Sequence, residues 1–180
     1  MRIFTKALCS LLLILPSWSF AEDSKPDPWA PVEFLVGQWR GTTTGQAGEG
    51  TVTRQYEFIL HNRYIHERNT STYPPQERNK DGEVHEHWSV MSYDKARRLI
   101  VFRQFHVEGF VNQYVFSRAA STSTKLVFES EHFENFDNKW RARETYEIAS
   151  PNEFTETFEL APPDKPFVVY SKNHFKRVGS

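Results

Sequence analysis

From residue 38 to residue 177 the chain is a series of short stretches in which apolar and polar residues alternate, broken about every ten residues by groups that turn the backbone. A period of two puts alternate side chains on opposite faces of a strand, and this spacing is the pattern of a sandwich or barrel. Strands are expected near 38–44, 51–60, 63–72, 84–93, 97–106, 109–118, 124–132, 139–148, 153–160 and 167–177. Between them stand Gly45-Gln46-Ala47-Gly48, His61-Asn62, Asp94-Lys95, Glu108-Gly109, Asp137-Asn138, Ser150-Pro151-Asn152 and Pro162-Pro163-Asp164, all able to turn the chain. Pro31 to Val36 allows one helical turn, and nothing else carries a helical period. Short links make successive strands antiparallel neighbours. An open sheet of about ten strands would leave two long unpaired edges, so the expected fold class is all-β: a single antiparallel up-and-down barrel. Phe, Tyr and Trp make up 15% of the residues, a bias that favours strands. The one long connection, Tyr73 to Glu83, holds Pro74, Pro75 and Asp81-Gly82 and is expected to be a mobile rim loop.

The N-terminus has a different character. Arg2 and Lys6 precede an apolar run from Ala7 to Leu15, then Pro16 and the small-x-small site Ser19-Phe20-Ala21. This is the pattern of a signal peptide over residues 1–21, cleaved after Ala21. The run is far shorter than the roughly 20 apolar residues of a membrane helix, so no membrane span is expected. Residues 22–31, with three prolines, are read as a tether, and 32–180 as the barrel domain. Export to the periplasm or the extracellular space follows. Cys9 lies inside the apolar run, so the mature chain must hold its fold without disulfides or thiolate ligands. Cleavage removes Arg2 and Lys6 from 22 basic residues and none of the 23 acidic ones, which leaves a mildly acidic protein and argues against a nucleic-acid partner.

Several strands carry one charge on an otherwise apolar face. Arg54 shares its face with Tyr56, Phe58 and Leu60; Arg103 lies between Val101 and Phe105; Glu144 between Ala142 and Tyr146; Glu156 between Phe154 and Phe158. An unpaired charge on an inward face costs several kcal/mol, so these four must pair, reach water or meet a ligand. Inward arginines can grip a carboxylate by a forked contact, which makes the four candidate ligand-binding residues. An internal Arg–Glu lattice that only sets register is the alternative.

His85 and His87, in Val84-His85-Glu86-His87-Trp88, point the same way on a strand, as two ligands of one metal require. The third ligand would come from a neighbouring strand, His66 or His106 being available; a polar outer face is the alternative. No G-x-S-x-G elbow, phosphate loop or dinucleotide fingerprint occurs, which disfavours a hydrolase or nucleotide enzyme.

Phe34-Leu35-Val36-Gly37-Gln38-Trp39-Arg40-Gly41 resembles the opening of calycin-type, lipocalin-like barrels, where a helical turn leads into a strand carrying W-x-G. Arg54-Gln55-Tyr56, Asn62-Arg63-Tyr64-Ile65, Ser92-Tyr93-Asp94 and Phe175-Lys176-Arg177-Val178 resemble an uncharacterised lipocalin-like family of bacterial exported domains. The resemblance implies that Trp39 plugs one end of the barrel and that Gly41 is structural. A more distant resemblance to nitrobindin-like heme barrels would assign heme ligation to His174 and an aromatic cavity to the ring. The leading expectation is a non-enzymatic barrel binding a small apolar or amphipathic molecule. A heme- or metal-dependent redox or detoxifying activity and a protein-interaction module are the alternatives, which fold alone does not separate.

Overall fold

The computed structural model of the protein describes residues 27–179. One 3₁₀ turn, Glu33–Leu35, is followed by ten strands: β1 (Gly37–Gly45), β2 (Gly48–Ile59), β3 (Tyr64–Tyr73), β4 (Glu83–Asp94), β5 (Leu99–His106), β6 (Val111–Phe116), β7 (Lys125–Glu134), β8 (Arg141–Ser150), β9 (Glu153–Ala161) and β10 (Val168–Arg177). Each pairs antiparallel with the next, and β1 closes the barrel against β10 from Trp39 opposite Arg177 to Gly45 opposite Ser171. The all-β, up-and-down barrel of the sequence reading is the fold observed. The signal-peptide reading for residues 1–21 lies outside the described residues.

The strand period decides what fills the interior. Trp39, Tyr56, Ile65, Met91, Phe102, Phe128, Tyr146, Phe154 and Phe175 come from nine different strands, point inward and are almost wholly buried. They pack the end of the barrel that holds the N-terminal turn. Trp39 donates its indole N–H to the Leu35 carbonyl at 2.7 Å and meets Phe154 edge-on at 4.7 Å between centroids. Outside it, the Arg177 guanidinium lies 4.2 Å from the Trp39 ring and donates to the Val36 and Phe34 carbonyls. A buried aromatic cluster of this size is a dominant source of stability. Gly41 sits where β10 crosses closely: a Cβ there would fall 1.9 Å from the His174 carbonyl oxygen.

Two expectations need correction here. Residues 27–31 do not behave as a tether, because Trp29 is buried and packs edge-on against Phe58, and Val32 just after it is fully buried. Leu60 does not share the inward face of β2: the strand ends at Ile59, and Leu60, His61 and Asn62 all take left-handed backbone conformations in the turn, with Leu60 exposed.

At the other end, the long β3–β4 connection is fastened to the β1–β2 hairpin. Glu49 donates its backbone N–H to Gln76 Oε1 at 2.9 Å, and Gln76 Nε2 donates back to the Glu49 carbonyl at 3.0 Å. The sequence pointed to a mobile loop; the Gln76 side chain ties it to the rim.

Candidate functional site

Two residues further along most strands, towards the end away from the plug, the inward positions turn polar. Arg54, Glu67, Asn69, His87, Gln104, Asn112, Glu144, Glu156 and Asn173 are all no more than 8% exposed. Above this belt the barrel is hollow, with a cavity of about 400 Å³. Phe110, Phe133, Phe136, Phe158, Leu160 and Tyr170 supply its apolar wall, the polar belt its floor, and Gln46, Ala47, Glu83 and Glu108 its mouth.

Arg54 organises the floor. Its Nε lies 3.0 Å from Glu67 and donates to Asn69 at 2.9 Å; its Nη1 lies 2.7 Å from Glu156 and donates to the Tyr56 hydroxyl at 3.1 Å. Its guanidinium also rests on the Phe175 ring, 4.6 Å from the centroid. Burial opposes a charged Arg54, but Glu156, Tyr56 and Glu67 together push its pKa well above the usual value. Burial likewise works to raise Glu67, yet the Arg54 guanidinium and His87 hold its carboxyl down to about 2. Glu144 is different. Burial first, then the neighbouring Glu156 and Glu67, push its pKa well above the carboxylate range, and it accepts a hydrogen bond from the Tyr146 hydroxyl at 2.8 Å. Three carboxyl groups, Glu67, Glu144 and Glu156, thus surround one guanidinium, so acidic groups outnumber the basic one on the floor.

Of the four charges singled out in the sequence, three converge on this floor: Arg54, Glu144 and Glu156. Arg103 does not. On β5 the inward residues are Ile100, Phe102, Gln104 and His106, so Arg103 lies on the outer face with the exposed Phe105 and donates to Ser92 at 3.4 Å. Arg54 is already committed within the floor, its Nε to Glu67 and Asn69 and its Nη1 to Glu156 and the Tyr56 hydroxyl.

His85 and His87 both line the cavity, and β5 brings His106 directly opposite His87. One nitrogen from each of the three rings lies within 4.8 Å of the others, and the ring centroids form a near-equilateral triangle of 5.7, 5.5 and 5.3 Å. His66, the other candidate for a third position, faces outward against Trp88 and Glu57. Burial, reinforced by His87 and His85, lowers the pKa of His106 to about 3, so its imidazole is neutral.

His174 faces away from the lumen. On β10 it is Asn173 and Phe175 that point inward, while His174 is exposed and bonded to Glu153 at 2.7 Å. Heme ligation by His174 inside the barrel therefore does not fit this structure.

Sequence reasoning missed Glu67, Asn69, Asn112 and Asn173. On β3 the inward set is Ile65, Glu67, Asn69, Ser71 and Tyr73, and a face so polar looks like a solvent face when read alone. Its one signal is the buried Arg54, whose charge requires a counter-charge from a neighbouring strand.

No protein-family profile matches the chain, and no curated protein matches it. Among solved structures it is similar to Rv2717c from M. tuberculosis, with a TM-score of 0.61 and 11% identity over 84% of this chain and 98% of that one. A redesigned β-barrel (TM-score 0.38, 10% identity, 80% and 91% coverage) and mFAP2b bound to DFHBI (0.40, 10%, 82% and 96%) also match. At these identities the likeness to Rv2717c is one of fold: a closed antiparallel barrel spanning nearly all of that protein.

Proposed function

We propose that this protein is an exported, calycin-type binding barrel that takes a small apolar or amphipathic molecule, uncharged or cationic, into its lumen. The observation that carries the reading is the cavity of about 400 Å³, with an aromatic wall, a polar floor and a mouth between the loops. That volume is within the range of small-molecule sites, which combine apolar walls with a few placed polar groups. The acidic excess of the floor, and the commitment of Arg54 Nε and Nη1 to Glu67 and Glu156, disfavour an anionic headgroup, which would be desolvated beside carboxylates already there. Export is supported by the N-terminal sequence, and the absence of a long apolar helix among the described residues is compatible with it.

The test is a titration with three environment-sensitive fluorescent probes sharing one alkyl chain and carrying an uncharged, an amine or a carboxylate head. Saturable one-to-one uptake of the uncharged or amine probe is expected, with the carboxylate probe at least ten-fold weaker. Leu160→Trp, which puts an indole into the lumen, should abolish uptake. A barrel that takes up none of the probes, or that binds them equally well after Leu160→Trp, would sink the reading.

A further inference from the structure

We propose that His85, His87 and His106 bind one divalent first-row transition ion, zinc foremost, leaving its remaining coordination position to water or to a molecule in the cavity. The inference goes beyond the ligand-cavity reading and does not depend on it.

The geometry is that of a three-nitrogen site. His106 Nδ1 and His85 Nε2 lie 3.5 Å apart. Two imidazole nitrogens on a tetrahedral zinc at roughly 2.05 Å should be about 3.3 Å apart, so this pair needs almost no movement. Such clusters often have their rings misdirected; here each ring is held from behind. His85 Nδ1 is 2.8 Å from Glu108 Oε1, His87 Nε2 is 3.1 Å from Glu67 Oε1, and His106 Nε2 is 3.2 Å from the Asn112 amide. The nitrogens left over are His85 Nε2, His87 Nδ1 and His106 Nδ1. Carboxylates and amides behind metal-bound imidazoles fix the tautomer and the ring direction, and two carboxylates do so here for His85 and His87. The Asn112 group serves once its oxygen accepts from His106 Nε2–H, a half-turn of the side chain that also lets the Tyr114 hydroxyl, 3.0 Å away, donate to it.

A second observation points to a ligand independently. His87 Nδ1 is buried and has no hydrogen-bond partner among the described residues, while the ring is only 7% exposed and its other nitrogen is bonded. Buried polar atoms in folded proteins are nearly always satisfied, and one left bare beside two other histidines calls for a partner. The floor's negative balance, with Glu67 in contact with His87, favours a cation rather than an anion as that partner. Three nitrogen donors with no thiolate suit zinc, copper, nickel or iron and not calcium or magnesium, which take oxygen ligands. The supporting strands are rigid: His87 and His106 are direct cross-strand neighbours, and Phe110 stacks on His106 at 4.3 Å.

The protein is stripped with a chelator, then titrated calorimetrically with Zn²⁺ and spectroscopically with Co²⁺. One ion per chain is expected, with Co²⁺ giving the strong visible bands of a four- or five-coordinate site rather than the faint spectrum of the hydrated ion. His85→Ala at the rim and His106→Gln should each remove the strong Co²⁺ bands, with folding checked by thermal melts. Glu108→Gln, which is exposed and touches no proposed ligand nitrogen, should weaken Zn²⁺ binding by roughly 10-fold. His66→Ala and His174→Ala should leave it unchanged. Failure to take up Zn²⁺ or Co²⁺, or uptake that survives both His85→Ala and His106→Gln, would overturn the proposal. Probe uptake by the metal-stripped protein reads the cavity separately, so either inference can fail alone.

Discussion

The plugged half and the hollow half of the barrel are made by the same ten strands, yet moving two residues along a strand changes aromatic packing into a belt of buried polar groups. Tyr56 gives way to Arg54, Met91 to Ser89 and then His87, Phe102 to Gln104, Tyr146 to Glu144, Phe154 to Glu156 and Phe175 to Asn173. The plugged half is built of almost wholly buried aromatic and aliphatic side chains contributed by nearly every strand. The other half retains space, charge and unpartnered nitrogen, which a protein interior selected only for stability would eliminate. The difference separates the part of the molecule that holds the fold from the part equipped to act.

The largest effect should come from the plug. Trp39→Ala removes the indole that meets Phe154, the Leu35 carbonyl and Arg177. It should cost about 3–5 kcal/mol in urea unfolding. A loss below about 1 kcal/mol would mean that the plug is not what stabilises the barrel. Next in size is Arg54→Met, which leaves the buried Glu67 and Glu156 without their shared counter-charge. Breaking a buried pair by removing one partner costs about 3 kcal/mol or more, whereas replacing the whole set by uncharged groups is often close to neutral. Adding Glu67→Gln and Glu156→Gln to Arg54→Met should therefore recover most of the loss. If the triple variant stayed as unstable as the single one, the belt would be acting through packing and not through charge.

The contrast between the halves also explains what could be read from the sequence. Alternation located all ten strands to within a few residues, because the plugged half makes every strand apolar on one face for part of its length. Trp39 and Gly41 were visible through a short local motif. Arg54, Glu144 and Glu156 stood out because each is a single charge among apolar neighbours on its own strand. Arg103 looked the same and is on the outside: Val101 is buried but Phe105 is exposed, and one strand cannot say which of its faces is the core when both carry apolar residues. The histidine cluster depended on register. His85 and His87 share a strand and hence a direction, but the alignment of β5 that puts His106 opposite His87 and leaves His66 outside is set by turn geometry and sheet closure, which the local pattern does not encode. Glu67 was hidden because three successive positions of its face, Glu67, Asn69 and Ser71, are polar.

Glu144 makes a smaller difference, with a defined pH dependence. Its pKa in the folded protein lies above the unfolded value, so its contribution is fully present below about pH 4.5 and is lost as pH rises towards the folded pKa, where the buried acid must either stay protonated or ionise among carboxylates. Glu144→Gln keeps the shape and the Tyr146 contact without an ionisable proton. It should be as stable as the parent near pH 4.5 and more stable at pH 7, by up to about 2 kcal/mol. The parent's decline as pH rises above about 4.5 should flatten in the variant, as read by thermal melts across a pH series. Equal slopes would place Glu144 in contact with water or a counter-cation and undo the charge balance assigned to the floor.

The smallest effects belong to the outer wall, and they test whether the boundary between inside and outside is drawn correctly. His174 pairs with Glu153 where both are substantially exposed, and Arg103 donates a long hydrogen bond to Ser92. Exposed ion pairs contribute little because water screens them and ordering two side chains costs entropy. His174→Ala and Arg103→Ala should each shift stability by no more than about 0.5 kcal/mol and leave probe uptake unchanged. Hemin provides the sharper comparison for His174. If the protein binds hemin in its lumen and His174→Ala abolishes the absorbance change, then β10 must turn that face inward in the bound state, and the register from Gly41 opposite Phe175 to Thr44 opposite Lys172 would have to break. Because closure of the barrel runs through that seam, hemin uptake that needs His174 would come with a large loss of protection in amide exchange along β1 and β10, and uptake without such loss would place the heme on the surface.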